Sequence, residues 1–138
     1  MMFKFDMNLV DLLYKDFPIN TFANRITKAR LYAGISQKEL SNLTGLSRST
    51  INELEAGYRD DISKDTLLKL LSILNYNILC DNYCKFILNQ KQNMQLLIKK
   101  YTINELSSQL NINRSTIERW RDCKYQVKRV MYNKIQLL

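Results

Sequence analysis

A chain of 138 residues fits one compact domain or two very small ones. At 46% hydrophobic and 25% charged residues it is ordinary globular material, and three glycines with one proline leave little for the tight hairpins of an all-β fold. The formal charge of +8 is uneven: residues 1–79 hold ten Lys/Arg against nine Asp/Glu and residues 80–138 hold eleven against four, which fits a face that draws polyanions or an anionic membrane and equally a solvated basic surface.

In chain order, Asp6 and Asp11 interrupt the N-terminal apolar stretch, so no leader peptide is expected. A helix over 8–15 carries Leu9, Leu12 and Leu13 on one stripe, and Phe17-Pro18 ends it. A second helix over 22–32 spaces Phe22, Ile26 and Ala29 along one face. Ser36 followed by Glu39 forms a capping box for the next helix, and Ser47 caps the one after. Between these two, Thr44-Gly45-Leu46 makes a tight turn in which Gly45 supplies the positive φ. Leu40, Leu43, Leu46, Ile51 and Leu54 form the seam that locks the pair, leaving Arg48, Ser49, Asn52 and Glu53 outward. A further helix follows over 65–74, with Leu67, Leu70, Leu71 and Leu74 on one face, and Lys69 breaks its apolar run. No segment approaches the ~18 apolar residues of a membrane span.

Residues 75–100 are expected to form one or two connecting helices, with Phe86, Ile87, Met94, Leu97 and Ile98 as their apolar positions. Beyond them, a shift of 66 residues lays 36–54 on 102–120 with seven identical pairs, among them Glu39/Glu105, Leu40/Leu106, Ser41/Ser107 and Arg48/Arg114. Leu54 falls on Trp120, which reads as core and not as a stacking platform. Identities at capping, core and exposed positions mark an internal repeat.

From Arg30 through GISQKEL and TGLSRSTINELEAG to LLKLLSIL, the stretch 24–74 resembles the Cro/phage-repressor, or xenobiotic-response-element, class of helix-turn-helix proteins. The resemblance implies that Gln37 touches a phosphate and that Arg48, Ser49 and Thr50 open the recognition helix. By the same comparison Asn52 and Glu53 face the groove one turn on, Tyr58 and Arg59 grip the backbone, and Glu55 and Gly57 are structural. Asp60-Asp61 stands where the family often has proline, which makes that loop a poor phosphate clamp. The copy at 102–130 resembles the family more loosely, with Asn111 at the turn glycine and Cys123 at the terminal one. Thr102, Arg114, Ser115, Thr116, Glu118, Arg119, Lys124, Lys128 and Arg129 are its corresponding DNA-facing candidates.

Three cysteines and no histidine argue against a zinc site and for reduced thiols in a cytoplasmic protein. Without histidine, a serine or cysteine nucleophile lacks its commonest base. Paired carboxylates in an apolar setting and glycine-rich phosphate loops are also missing, so no catalytic, cofactor or metal site is expected.

The expected architecture is all-α: two small helix-turn-helix modules joined by a helical bridge. Its parts are a helical extension (1–20), a DNA-binding domain (21–79), the bridge (80–100) and the second module (101–138). The expected function is sequence-specific binding of double-stranded DNA by a bacterial or phage transcription regulator, a repressor acting as a homodimer. An asymmetric site read by both modules of one chain is the competing arrangement. The competing class is a protein-binding inhibitor, an antitoxin or phage counter-defence factor whose helix-turn-helix serves autoregulation and whose partner is another protein.

Overall fold

A computed structural model of the chain describes residues 7–138. Among these residues the regular structure is ten α-helices and no strand, as the all-α expectation requires. Residues 1–6, the start of the expected N-terminal extension, lie outside the described residues. The chain divides into two compact units, one ending at Asp81 and the other starting at Asn82.

The first unit holds α1 (Met7–Tyr14), α2 (Phe22–Tyr32), α3 (Gln37–Thr44), α4 (Arg48–Ala56), α5 (Lys64–Leu71) and α6 (Tyr76–Leu79). Five of these start on a side-chain cap: Thr21, Ser36, Ser47, Ser63 and Asn75 each accept from a backbone N–H three residues on. Each cap satisfies a donor that the first helical turn leaves without an intrahelical partner. The hub is α2, which packs against α1, α4 and α6, while α3 packs on α4. Ile26, Leu40, Ile51, Leu54, Leu67 and Leu70 are almost wholly buried and form the centre of this core.

Helix α1 forms over the expected stretch, with its leucine stripe turned to solvent. Its stripe of Leu9, Leu12 and Leu13 is 53%, 70% and 62% exposed, and among its described side chains Val10 is the buried one. Val10 and Tyr14 lie one helical turn apart and turn towards α2, where the Tyr14 and Tyr32 rings meet at 6.3 Å. The Tyr32 hydroxyl also donates to Asp11 Oδ1 at 2.5 Å. The connecting region differs from its sequence reading, since three helices begin between residues 75 and 100 in place of one or two. Asn75 caps the short α6, and the carbonyls of Ile78 within it and of Cys80 just after it accept from Arg25 Nη1 at 3.0 and 3.2 Å. Non-helical backbone at Cys80 (φ −84°, ψ 115°) and Asn89 (φ −127°, ψ 39°) makes the two breaks, neither of which is marked by glycine or proline.

The second unit holds α7 (Asn82–Leu88), α8 (Gln90–Leu110), α9 (Arg114–Arg121) and α10 (Arg129–Gln136). Helix α8 packs on both α7 and α9, over a core that includes Tyr83, Cys84, Ile87, Met94, Leu106, Ile117 and Val127. Trp120 is 5% exposed and belongs to this core, as its repeat position suggests. Gln90 is the one buried polar side chain among the described residues. Its Nε2 donates to the carbonyls of Trp120 and Tyr125, and its Oε1 accepts from the Val127 N–H, each at 2.9 Å. That single amide pairs with one carbonyl in the last turn of α9 and two backbone groups of the segment after it, so the buried polar side chain is fully satisfied. Thr102 interrupts α8 with φ 65° and ψ 159°, a region that β-branched residues almost never visit.

Candidate nucleic-acid interface

Ser36 opens the motif with a complete capping box: its Oγ accepts from Glu39 N at 3.1 Å, and Glu39 Oε1 accepts from Ser36 N at 3.2 Å. Gly45 ends α3 at φ 77°, where an L side chain is strained. The turn is tied by Ser41 Oγ donating to the Leu46 carbonyl at 2.6 Å and by Thr44 Oγ1 accepting from Leu46 N at 3.3 Å. Gly57 repeats the left-handed stop after α4 at φ 80°.

A part-buried clamp holds α4 against α2. Arg30 meets Glu55 through two hydrogen bonds of 2.9 Å, with side-chain exposures of only 15% and 6%. Thr27 Oγ1 donates to Glu55 Oε1 at 2.9 Å, and Arg30 Nη1 donates to the Ile35 carbonyl at 3.0 Å. The fork-shaped pairing fixes orientation as well as distance, and losing either partner would strand the other charge out of water. Glu55 is thus structural, as the resemblance implies. Glu55 lies 28 and 25 residues from Thr27 and Arg30, and only the shared clamp reveals their common task.

With Ile51 and Leu54 buried, α4 turns Arg48, Ser49 and Asn52 to solvent, with Glu53 partly exposed beside them. Thr50 is less open, because its Oγ1 lies 2.8 Å from Ser47 Oγ in the cap. Gln37 is half-buried in the first turn of α3, while Tyr58 is 81% exposed beyond the end of α4. Arg59 does not stand alone: its Nε and Nη2 both donate to Glu53 Oε2, at 3.2 and 2.5 Å. That pairing spans the Gly57 turn, and periodicity on one helix gave no sign of it.

The downstream segment 102–124 has closely similar local geometry at an offset of 66 residues. Ser107 Oγ donates to the Ile112 carbonyl at 2.6 Å, as Ser41 does to Leu46. Thr102 Oγ1 accepts from Glu105 N at 3.3 Å, in the manner of Ser36. Asn111 and Cys123 take φ 54° and 57°, the left-handed positions of Gly45 and Gly57. Leu106, Ile117 and Trp120 are buried like Leu40, Ile51 and Leu54.

Of the candidates here, Arg114, Ser115 and Arg119 are exposed, and Thr116 and Glu118 partly so. The Arg119 guanidinium sits 5.8 Å from the Tyr125 ring centroid. Arg121 is occupied by Asp122 at 3.0 Å, and that hydrogen bond holds the Asp122 carboxyl below the usual carboxylate range. Lys124 and Lys128 are exposed, and Thr102 is exposed as a helix cap. The Arg129 guanidinium lies 4.5 Å from the Tyr83 ring centroid, and the residue is only partly exposed. No group of three or more His, Cys, Asp or Glu side chains able to hold a metal occurs among the described residues. No described helix is long and apolar enough to cross a membrane.

The capped helix pair, the glycine turn and the clamped second helix with its outward polar side define a helix-turn-helix domain. Residues 26–79, under half of the chain, match the helix-turn-helix family model, and the domain is of the Cro/C1 type. No curated protein and no solved structure matches the chain.

Proposed function

We propose that the protein is a sequence-specific double-stranded DNA-binding transcription regulator, a bacterial or phage repressor acting in the cytoplasm. The observation that carries this reading is α4, held from behind by the Arg30–Glu55 clamp while Arg48, Ser49 and Asn52 face solvent. Polar side chains on a rigid, protruding helix are what the major groove admits and what its base edges can pair with. Binding at a promoter then excludes polymerase by occupancy.

The segment 102–124 acts as a second helix-turn-helix, with α9 as its reading helix and Lys124 and Lys128 on phosphate. The matched capping, turn and stop geometry of the two segments supports this. So does the charge: the unit from Asn82 onward holds eleven Lys/Arg against three Asp/Glu, and the first unit holds ten of each. The protein works as a homodimer, for which the exposed Leu12 and Leu13 of α1 offer an apolar surface. The same surface favours the second reading, an inhibitor that docks on another protein. Solution mass with and without DNA tests the dimer against one chain reading an asymmetric site with both modules, because a monomer leaving an asymmetric footprint overturns the dimer.

The function is tested by selecting sites from random duplex DNA and measuring Arg48→Ala on the winner. A loss of ~1–3 kcal/mol with relaxed base choice is expected. An equal loss on every sequence reduces Arg48 to a phosphate contact, and no selection by the wild type overturns the reading.

A further inference from the structure

Glu53 is an awkward residue for a DNA-facing surface. It lies in the last turn of α4, where the helix dipole already disfavours an anion, and DNA phosphates would disfavour it further. The fold answers both effects with Arg59, which reaches back across the Gly57 turn to donate twice to Glu53 Oε2. Both bonds converge on that one oxygen, so Oε1 of Glu53 and Nη1 of Arg59 take no part in the pairing. At 44% and 49% side-chain exposure, the pair sits at the surface, beside Asn52 and within two residues of the open Tyr58.

We propose that Glu53 and Arg59 read DNA as one unit, with Glu53 Oε1 accepting from the N4 amino group of a cytosine while Arg59 keeps hold of Oε2. This inference rests on the DNA-binding reading of α4. A carboxylate is the natural acceptor for the cytosine amino group in the major groove. The arginine makes the pair formally neutral, so the carboxylate enters the groove without net repulsion, and it fixes the direction in which Oε1 points. Nη1 remains for a phosphate on the groove edge, which couples the base contact to a backbone contact.

The test is site selection and affinity measurement on the full chain for the wild type, Glu53→Gln, Arg59→Ala and the double variant. Thermal unfolding establishes that each variant is folded. The wild type should demand cytosine at one position, and Glu53→Gln should move that preference to adenine, whose N6 and N7 suit a carboxamide. Arg59→Ala should cut the cytosine preference at the same position about tenfold while leaving other positions alone, and the double variant should lose no further selectivity there. If Arg59→Ala weakens all sequences equally and the cytosine preference survives, the pair opens on DNA and the inference fails. It fails equally if Glu53→Gln leaves every preference unchanged. If the wild type selects no sequence, the DNA-binding reading falls and the inference with it, so the two failures are distinct.

Discussion

Tyr32 ties the N-terminal helix to the helix-turn-helix domain by donating its hydroxyl to Asp11 at 2.5 Å. That bond, then burial, then the charges of Asp11 and Asp16 push its pKa from 10.0 up to about 12. The folded chain therefore holds this proton more tightly than the unfolded chain. The stability it contributes is complete below pH 10.0 and is lost as pH climbs through about 12. Thermal melts across that window should show the wild type losing stability and Tyr32→Phe losing less. Equal losses would place the alkaline sensitivity elsewhere. Contacts of this kind are poorly legible in sequence, because Asp11 and Tyr32 belong to different helices. The Arg30–Glu55 clamp is half legible, since the resemblance marks both positions without revealing that they meet. Arg48, Ser49 and Asn52 are fully legible, because helical spacing alone turns them away from Ile51 and Leu54.

Among the elements, capped ends are the most readable. Ser36 with Glu39, and Ser47 ahead of its run, announce α3 and α4 because the capping chemistry is local. The leucines of α1 are readable as a stripe, but an apolar stripe does not tell which side of a helix its neighbour covers. The breaks at Cys80 and Asn89 leave no compositional trace. At Cys123 the repeat does carry information, for it aligns this residue with Gly57, and the backbone takes φ 57° there. A left-handed L residue costs about 1 kcal/mol or more, so Cys123→Gly should raise unfolding stability by about 1 kcal/mol. Gly57→Ala should lower it by a similar amount, although the nearest side-chain atom to the added methyl, Ala23 Cβ, is 3.9 Å away. Denaturant midpoints measure both, and equal midpoints for Cys123→Gly and wild type would mean that the turn carries no strain. Thr102 is the sharper anomaly, a β-branched residue at φ 65° that breaks α8 in two.

At the scale of the molecule, the whole formal charge of +8 belongs to the unit from Asn82 onward, because the first unit is balanced. On the proposed reading, Lys124 and Lys128 release counterions when they meet phosphate. Replacing both with alanine should flatten the plot of log affinity against log salt by about 0.9 for each phosphate that is no longer neutralised. An unchanged slope would take the second unit off the DNA. Arg129 is left out of this variant, because its guanidinium covers Tyr83 and its loss would disturb the core. The charge imbalance is visible from the residues alone, whereas the inward turn of Arg129 needs the fold.

The balanced first unit and basic second unit also bear on time, if both engage one duplex. Long-range attraction sets how often protein and DNA meet, whereas close pairing with base edges sets how long they stay together. Encounter frequency would then be governed by residues 82–138 and would collapse as salt rises. Residence on a chosen site would be governed by α4, and would change with the identity of the bases far more than with the ionic medium.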